Sequence, residues 1–307
     1  MDIIENEWFI QAPWGRIAII AWGDCYNPPV LLCHGNMDSA ISFRPLVNQL
    51  PKGFYYIGVE LPGNGTSDPF PPGLMISVYD MIYSIQAVVK HFRWQNFVFL
   101  GHSFGALLGK VYNICYPGKI SKLIELDPIN FRGILPEDFP RWYKCYFTNF
   151  YKNYDKLNLP KEQSPKLKWK ESLLSLRRQR PDLTEPQAVA VLKRLSEPVG
   201  DGLIRYVFDR RIKRIHGPPF SPEHIKKVFT SVTTPILTIV SEESLENKLF
   251  RNTDFLLDKS VYPNGNYRCF SVKGGHDVHI SNPERLSNYI TIFLLGDIQS
   301  LDAKAKL

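Results

Sequence analysis

The sequence predicts an α/β domain built on a mostly parallel sheet, with an antiparallel hairpin at its amino end and a helical cap inserted in its second half. Three observations predict it. Strand-like apolar runs alternate with helix-length amphipathic stretches, one such run ends in Gly101-His102-Ser103-Phe104-Gly105, and the composition changes between 128 and 230. Strand–helix–strand repeats imply parallel strands, because the helix is the crossover that parallel pairing needs. The core is expected over 1–127 and 231–307, and the cap over 128–230.

The totals are compatible with this plan. At 307 residues, 44% hydrophobic and 13% aromatic, the chain can bury the core of one large domain carrying an insertion. No apolar run reaches the ~18 residues of a membrane span. The start, MDIIENEW, lacks a basic segment followed by an apolar one, so a soluble, non-secreted protein is expected. Five cysteines (Cys25, Cys33, Cys115, Cys145, Cys269) are odd in number, scattered and never in C-x-x-C. That excludes a disulfide framework or zinc pattern and fits a reducing compartment. The net charge of +7 comes mainly from 144–227, in runs such as KLKWK and RRQR, with no nucleic-acid motif beside them. It reads as a solvated helical face, and no nucleic-acid partner, cofactor or metal is expected.

Taken in order, 8–20 holds two β-rich runs around Pro13-Trp14-Gly15, a hairpin signal. The run 30–33 is a short buried strand ending in His34-Gly35-Asn36. Turn-prone residues there let backbone N–H groups point into a crevice, where Asn36 N–H could hold a developing oxyanion; a plain strand-ending turn with a buried His34 is the alternative. A helix is expected over 43–50 and a strand over 55–61. The loop 62–68, PGNGTSD, is structural, since a phosphate loop would place a lysine after its second glycine. Apolar residues at helical spacing over 77–92 lead back to the strand 97–100.

Ser103 follows that strand at a strand-to-helix turn. A serine raised on such a turn is backbone-strained, leaves no room for side chains two positions away on either side, and faces the free N–H groups of the next helix. Glycine fills both flanking places. A strand over 120–126 then ends at Asp127-Pro128. Aromatic, Lys- and Arg-rich sequence follows, with helical stretches at 169–178 and 185–195 and no strand-like alternation. Strands return at 235–240 and 267–272, and the second runs into Gly274-Gly275-His276-Asp277-Val278-His279, Pro283 and an amphipathic stretch to residue 295. A histidine on such a loop can reach across to the turn at Ser103, a nucleophile elbow.

Together these segments resemble the α/β-hydrolase superfamily, in its serine hydrolase-like branch. The resemblance spans nearly the whole chain: CHGN at 33–36, LPGNGTSD at 61–68, GHSFG at 101–105, GLIRYVFDRRIKRI at 202–215 and GGHDVHISNPE at 274–284. It implies the α/β-hydrolase fold and an acyl-enzyme mechanism. Ser103 would be the nucleophile, His276 the base, and the N–H groups of Asn36 and Phe104 the oxyanion hole, with His34, Gly35, Gly101, His102 and Gly105 as motif support. The family motif places the catalytic imidazole seven residues before the proline, which selects His276 over His279. The chain departs from the common pattern at the acid. The loop after the strand before the last usually supplies an aspartate, and Ser244 stands there. Asp127, at the end of the strand after the elbow, is then the favoured acid, with Glu242 or Glu243 as the alternative. The aspartate nucleophile of haloalkane dehalogenases and epoxide hydrolases is absent.

The reading is a serine hydrolase of a carboxylic ester or related acyl compound, most simply an esterase, whose partner is a partly apolar small molecule. A non-catalytic ligand-binding protein and a carbon–carbon bond hydrolase are the alternatives. Ala305-Lys306-Leu307 match a peroxisomal address of the S-K-L type, so a peroxisomal location through the import receptor is expected, the alternative being cytoplasmic.

Overall fold

Eight strands form one sheet in the computed structural model, which describes residues 4–250 and 253–304; the tripeptide Ala305-Lys306-Leu307 lies outside the described residues. In chain order come β1 (Glu5–Ala12), β2 (Gly15–Trp22), β3 (Pro29–Cys33), β4 (Tyr55–Val59), β5 (Phe97–His102) and β6 (Ile120–Leu126). The inserted segment contributes β7 (Leu167–Lys168), β8 (Ser196–Pro198) and β9 (Leu203–Tyr206), and the chain returns with β10 (Ile236–Ser241) and β11 (Tyr267–Val272). The main sheet runs β1-β2-β4-β3-β5-β6-β10-β11. β2 pairs antiparallel with β1 and β4, and the other pairings are parallel.

Alternation along the central strands decides where the layers go. Leu31, Phe97 and Phe99 join the core cluster that holds Met81, Ile85 and Leu108, whereas Val30, Leu32, Val98 and Leu100 join the one that holds Leu46, Leu286 and Phe293. Both faces of the sheet are therefore covered, as a parallel sheet requires. The helices Val78–Phe92 and Phe104–Cys115 cover one face, and Glu284–Leu295 covers the other. Each fully buried Leu, Ile or Phe side chain contributes ~1.5–3 kcal/mol. Ser77 starts the first of these helices with a reciprocal cap: its backbone N–H donates to Asp80 at 2.7 Å, and its hydroxyl accepts from the Asp80 N–H.

The segment between β6 and β10 carries the helices Trp169–Gln179, Glu185–Leu195 and Pro222–Thr230. Beside the helices expected of a cap it also holds short strands. β7, β9 and β8 form a separate three-stranded antiparallel sheet. Strands of two to four residues are too short for alternation to register in the sequence.

The register of the parallel strands positions the site. Cys33 lies beside Gly101, His102 beside Leu126, Leu126 near Ile239 and Ser241 beside Val272. The loops after β3, β5, β6, β10 and β11 thus leave the sheet on one edge, the carboxyl edge where open α/β sheets bind ligands.

Candidate active site

Ser103 stands between β5 and the helix Phe104–Cys115 with φ +53° and ψ −115°, a conformation side-chain-bearing residues rarely adopt. The flanking glycines make it possible. A Cβ on Gly101 would come within 2.5 Å of the Ala106 nitrogen, and one on Gly105 would overlap the Cys33 carbonyl. The Ser103 N–H donates to the Leu126 carbonyl at 2.9 Å, so the turn is fastened to the residue just before Asp127.

Asp127 is fully buried and also has a positive φ, +42°. Its N–H donates to the Ile239 carbonyl at 2.7 Å, and its Oδ1 accepts from the Ser241 N–H at 2.8 Å. Its Oδ2 accepts from the Ser244 hydroxyl at 2.6 Å and from His276 Nδ1 at 2.5 Å. Burial alone would push this carboxyl up. The His276 hydrogen bond and charge, with the Ser241 and Ser244 donors, outweigh burial and hold it below the ordinary aspartate value.

His276 is part-exposed on the loop after β11. Burial draws its pKa down, but the hydrogen bond and charge of Asp127 prevail, so it lies above the ordinary imidazole value. With Nδ1–H given to Asp127, Nε2 is left as a proton acceptor. His102, next to Ser103, donates its Nε2–H to the His276 carbonyl at 2.9 Å, and the two rings lie 4.7 Å apart. The imidazole loop is thereby tied to the elbow.

The competing groups are engaged elsewhere. His279 is fully buried, its ring 4.0 Å from that of His102, and burial followed by the His102 charge holds its pKa far below the ordinary value. Glu242 and Glu243 are exposed, and no hydrogen bond joins either to His276 among the described residues. Ser241 caps the turn at 242–246 through its side chain, and the Glu243 carboxylate lies against Gly275, beside the His276 loop and not on its ring. Ser244, at the place of the usual acid, points its hydroxyl at Asp127 instead. His34 is buried too; its Nε2 accepts from the Leu61 N–H at 3.1 Å, and its Nδ1–H reaches the Gly35 carbonyl at 2.7 Å. It fastens the end of β3 to the end of β4.

A family model described as alpha/beta hydrolase fold matches residues 28–192, just over half of the sequence. The chain belongs to the alpha/beta hydrolase fold family. It is similar to human serine hydrolase-like protein 2, 29% identical over 301 residues covering 94% of each chain, and to zebrafish (Danio rerio) serine hydrolase-like protein, 26% identical over 298 residues covering 94% of this chain and 88% of the relative. Among solved structures, the thioesterase domain from the curacin biosynthetic pathway has a TM-score of 0.75 at 21% identity, covering 94% of this chain and 99% of that one. The hypothetical protein PA1622 from Pseudomonas aeruginosa PAO1 has a TM-score of 0.79 at 20% identity, covering 95% and 100%. These two likenesses speak for the fold.

In this α/β-hydrolase a cavity of about 390 Å³ opens beside the elbow. Asn36 and Phe104 line it together with Leu107, Ile129, Ile212 and Ile215, an apolar wall with two backbone-bearing corners next to Ser103. Asp38, His102, Asp277 and His279, all buried, bring donor atoms within 4.8 Å of one another and form the one group among the described residues able to hold a metal ion. Arg180 already bridges the two carboxylates, to Asp38 at 3.4 Å and Asp277 at 3.5 Å, and neutralises the charge that would attract a cation.

Sequence reasoning missed Arg180 and its neighbour Asp182. Asp182 accepts from the Gly275 N–H at 2.6 Å, so the inserted segment grips the residues on both sides of His276. No local pattern encodes such a contact across some ninety positions. Ser244 did carry a signal: a small hydroxyl residue where an acid is expected is what an acid arriving from the next strand can use.

Proposed function

We propose that this α/β-hydrolase is a serine hydrolase acting on a carboxylic ester or related acyl compound. The hydrogen bond from His276 Nδ1 to the buried Asp127 carboxylate, on a loop tied to the Ser103 elbow, carries this reading. His276 Nε2 takes the Ser103 proton as Oγ bonds to the acyl carbon, and gives it to the departing alcohol or thiol as the bond to that group breaks. Water, deprotonated by the same imidazole, then releases the acid and restores Ser103. Asp127 fixes the tautomer and stabilises the imidazolium, and the N–H groups of Asn36 and Phe104 hold the oxyanion. The apolar wall fits a partly apolar acyl group. The non-catalytic reading rested on the missing acid after β10; a buried carboxylate reaching His276 from the end of β6 favours the catalytic one.

The test is covalent labelling. The folded wild type is expected to react with a fluorophosphonate probe and Ser103→Ala to stay unlabelled; an unreactive, folded wild type would sink the proposal.

pH gives a second check. The base must be neutral, so kcat/KM is expected to fall as pH drops through a pKa above the ordinary ~6.5 of imidazole. The stability signs are separate: a raised His276 pKa contributes stability that is full below ~6.5 and is lost as pH rises through the folded value, while the depressed Asp127 contribution is full above ~3.9 and is lost as pH falls through its folded value. The ion pair is thus at its firmest where the enzyme is least active. Ser244→Ala, which strips one donor from a buried carboxylate, should lower kcat/KM ~10-fold or more and move the acid limb upward, and Ser244→Thr should restore part of both. An unmoved acid limb in a folded Ser244→Ala protein would show that the hydroxyl does not position the acid.

A further inference from the structure

Part of the excess positive charge of the inserted segment lines two cavities, at positions that are exposed or half-buried. The cavity lined by Asn36 and Phe104 shares Cys145, Tyr146 and Lys213 with a second cavity of about 770 Å³, so the two adjoin. Six basic residues line the pair, namely Arg132, Arg141, Lys156, Arg210, Lys213 and Arg214, against a single carboxylate, Asp138.

None of the six forms an ion pair with a carboxylate among the described residues. The run 210–214 makes the contrast. Arg211, buried, finds Asp209 at 2.6 Å, while its neighbours Arg210, Lys213 and Arg214 find only carbonyls or a ring. Arg210 donates to the Lys156 carbonyl at 2.8 Å, Arg214 to the Cys145 carbonyl at 3.3 Å, and the Lys213 ammonium lies 4.9 Å from the Phe208 ring centroid. These contacts order the cations without neutralising them. Tyr146, Tyr206 and Phe208 supply aromatic faces to the same space. The first cavity combines an apolar wall of Leu107, Ile129, Ile212 and Ile215 with Arg132, Arg141 and Lys213, and the adjoining one adds Lys156, Arg210 and Arg214 among aromatic faces.

We infer that the acyl group is delivered on a phosphate-bearing leaving group, with the acyl chain against the wall beside Ser103 and the phosphates among Arg132, Lys156, Arg210 and Lys213. The inference rests on the serine hydrolase reading and names its substrate class. Phosphate suits planar guanidinium forks and ammonium groups held without a carboxylate, and ring faces suit the base of a nucleotide carrier. A lipid phosphate offers the same anion without a base, so the experiment includes both.

One octanoyl group is presented to the full-length protein on coenzyme A, on glycerol 3-phosphate and on neutral N-acetylcysteamine, at low and high salt. At least one phosphate-bearing substrate is expected to exceed the neutral one in kcat/KM by ~10- to 100-fold, with the preference shrinking as salt rises. Preference for coenzyme A identifies a nucleotide carrier, and preference for the glycerol phosphate ester a lipid one. In Arg132→Gln/Lys213→Gln the ratio of phosphate-bearing to neutral substrate should fall ~10-fold. Equal kcat/KM on all three carriers, insensitive to salt, would overturn the inference. Calorimetry with folded Ser103→Ala separates it from the reading beneath it. Charge-dependent binding of octanoyl-coenzyme A without turnover by the wild type would defeat the hydrolase and leave the anion site standing; turnover of the neutral thioester with no charge preference would do the reverse.

Discussion

Asp127→Asn is expected to lower kcat/KM by about 10⁴-fold, a loss of ~5 kcal/mol in transition-state stabilisation. The amide nitrogen of the new side chain can donate where the carboxylate only accepted. His276 Nδ1 would then accept from that amide instead of donating, which places the ring proton on Nε2, where Ser103 needs an acceptor. Asp127 accepts three hydrogen bonds, from Ser241, Ser244 and His276, and asparagine cannot accept all of them as strongly, so a stability loss of ~1–3 kcal/mol should accompany the kinetic one. Far-UV circular dichroism and a urea midpoint would separate the two effects. Glu242→Gln/Glu243→Gln, at two exposed positions, should change kcat/KM by less than ~3-fold. The opposite ranking of these variants would overturn the assignment of the acid.

That acid is also where the sequence was least legible, for a physical reason. β6 and β10 are neighbours, with Leu126 in register with Ile239, so an acid leaving either strand can reach the same imidazole. What separates them is the turn each strand makes. Asp127 points inward because its backbone takes φ +42° and its N–H bonds to the Ile239 carbonyl, and neither feature follows from the residues beside it. The elbow was legible because its constraint is local: Gly101 and Gly105 stand where a Cβ would strike neighbouring backbone. The main sheet was legible from short apolar runs such as 30–33 and 97–100 alternating with amphipathic stretches, whereas β7, β8 and β9 were too short to leave a pattern. The basic residues after 144, read as a solvated face, stand largely at exposed positions, Lys144, Lys168, Arg177 and Arg178 among them; what the sequence does not show is that Lys156 and Lys213 also line a cavity. Arg180 and Asp182, which hold the loop of His276 from the inserted segment, had no signal at all.

Lys110→Met is expected to destabilise the protein by ~3–5 kcal/mol, read as a lower urea midpoint at unchanged slope. Lys110 lies on the elbow helix and is wholly buried, its ammonium 3.0 Å from Glu125, itself wholly buried on β6. The alignment is that of an ion pair rather than a directed hydrogen bond, since neither Lys110 Nζ nor Glu125 Oε1 has a hydrogen-bond partner among the described residues. The other Glu125 oxygen accepts from the Thr238 hydroxyl at 2.7 Å, and the ammonium lies 5.3 Å from the Phe229 ring centroid. Removing the lysine leaves a carboxylate inside the sheet with one hydroxyl and no counter-charge, and the cost of that exceeds what the pair itself contributes. The double variant Lys110→Met/Glu125→Leu, which removes both charges at similar volume, should therefore recover most of the lost stability. Glu125 lies on β6 two residues before Asp127, which follows that strand, so the single variant should also loosen the acid and lower kcat, whereas the double variant should return kcat along with the midpoint. A double variant no more stable than Lys110→Met would mean that the ion pair itself, rather than the stranded charge, holds the elbow helix to β6.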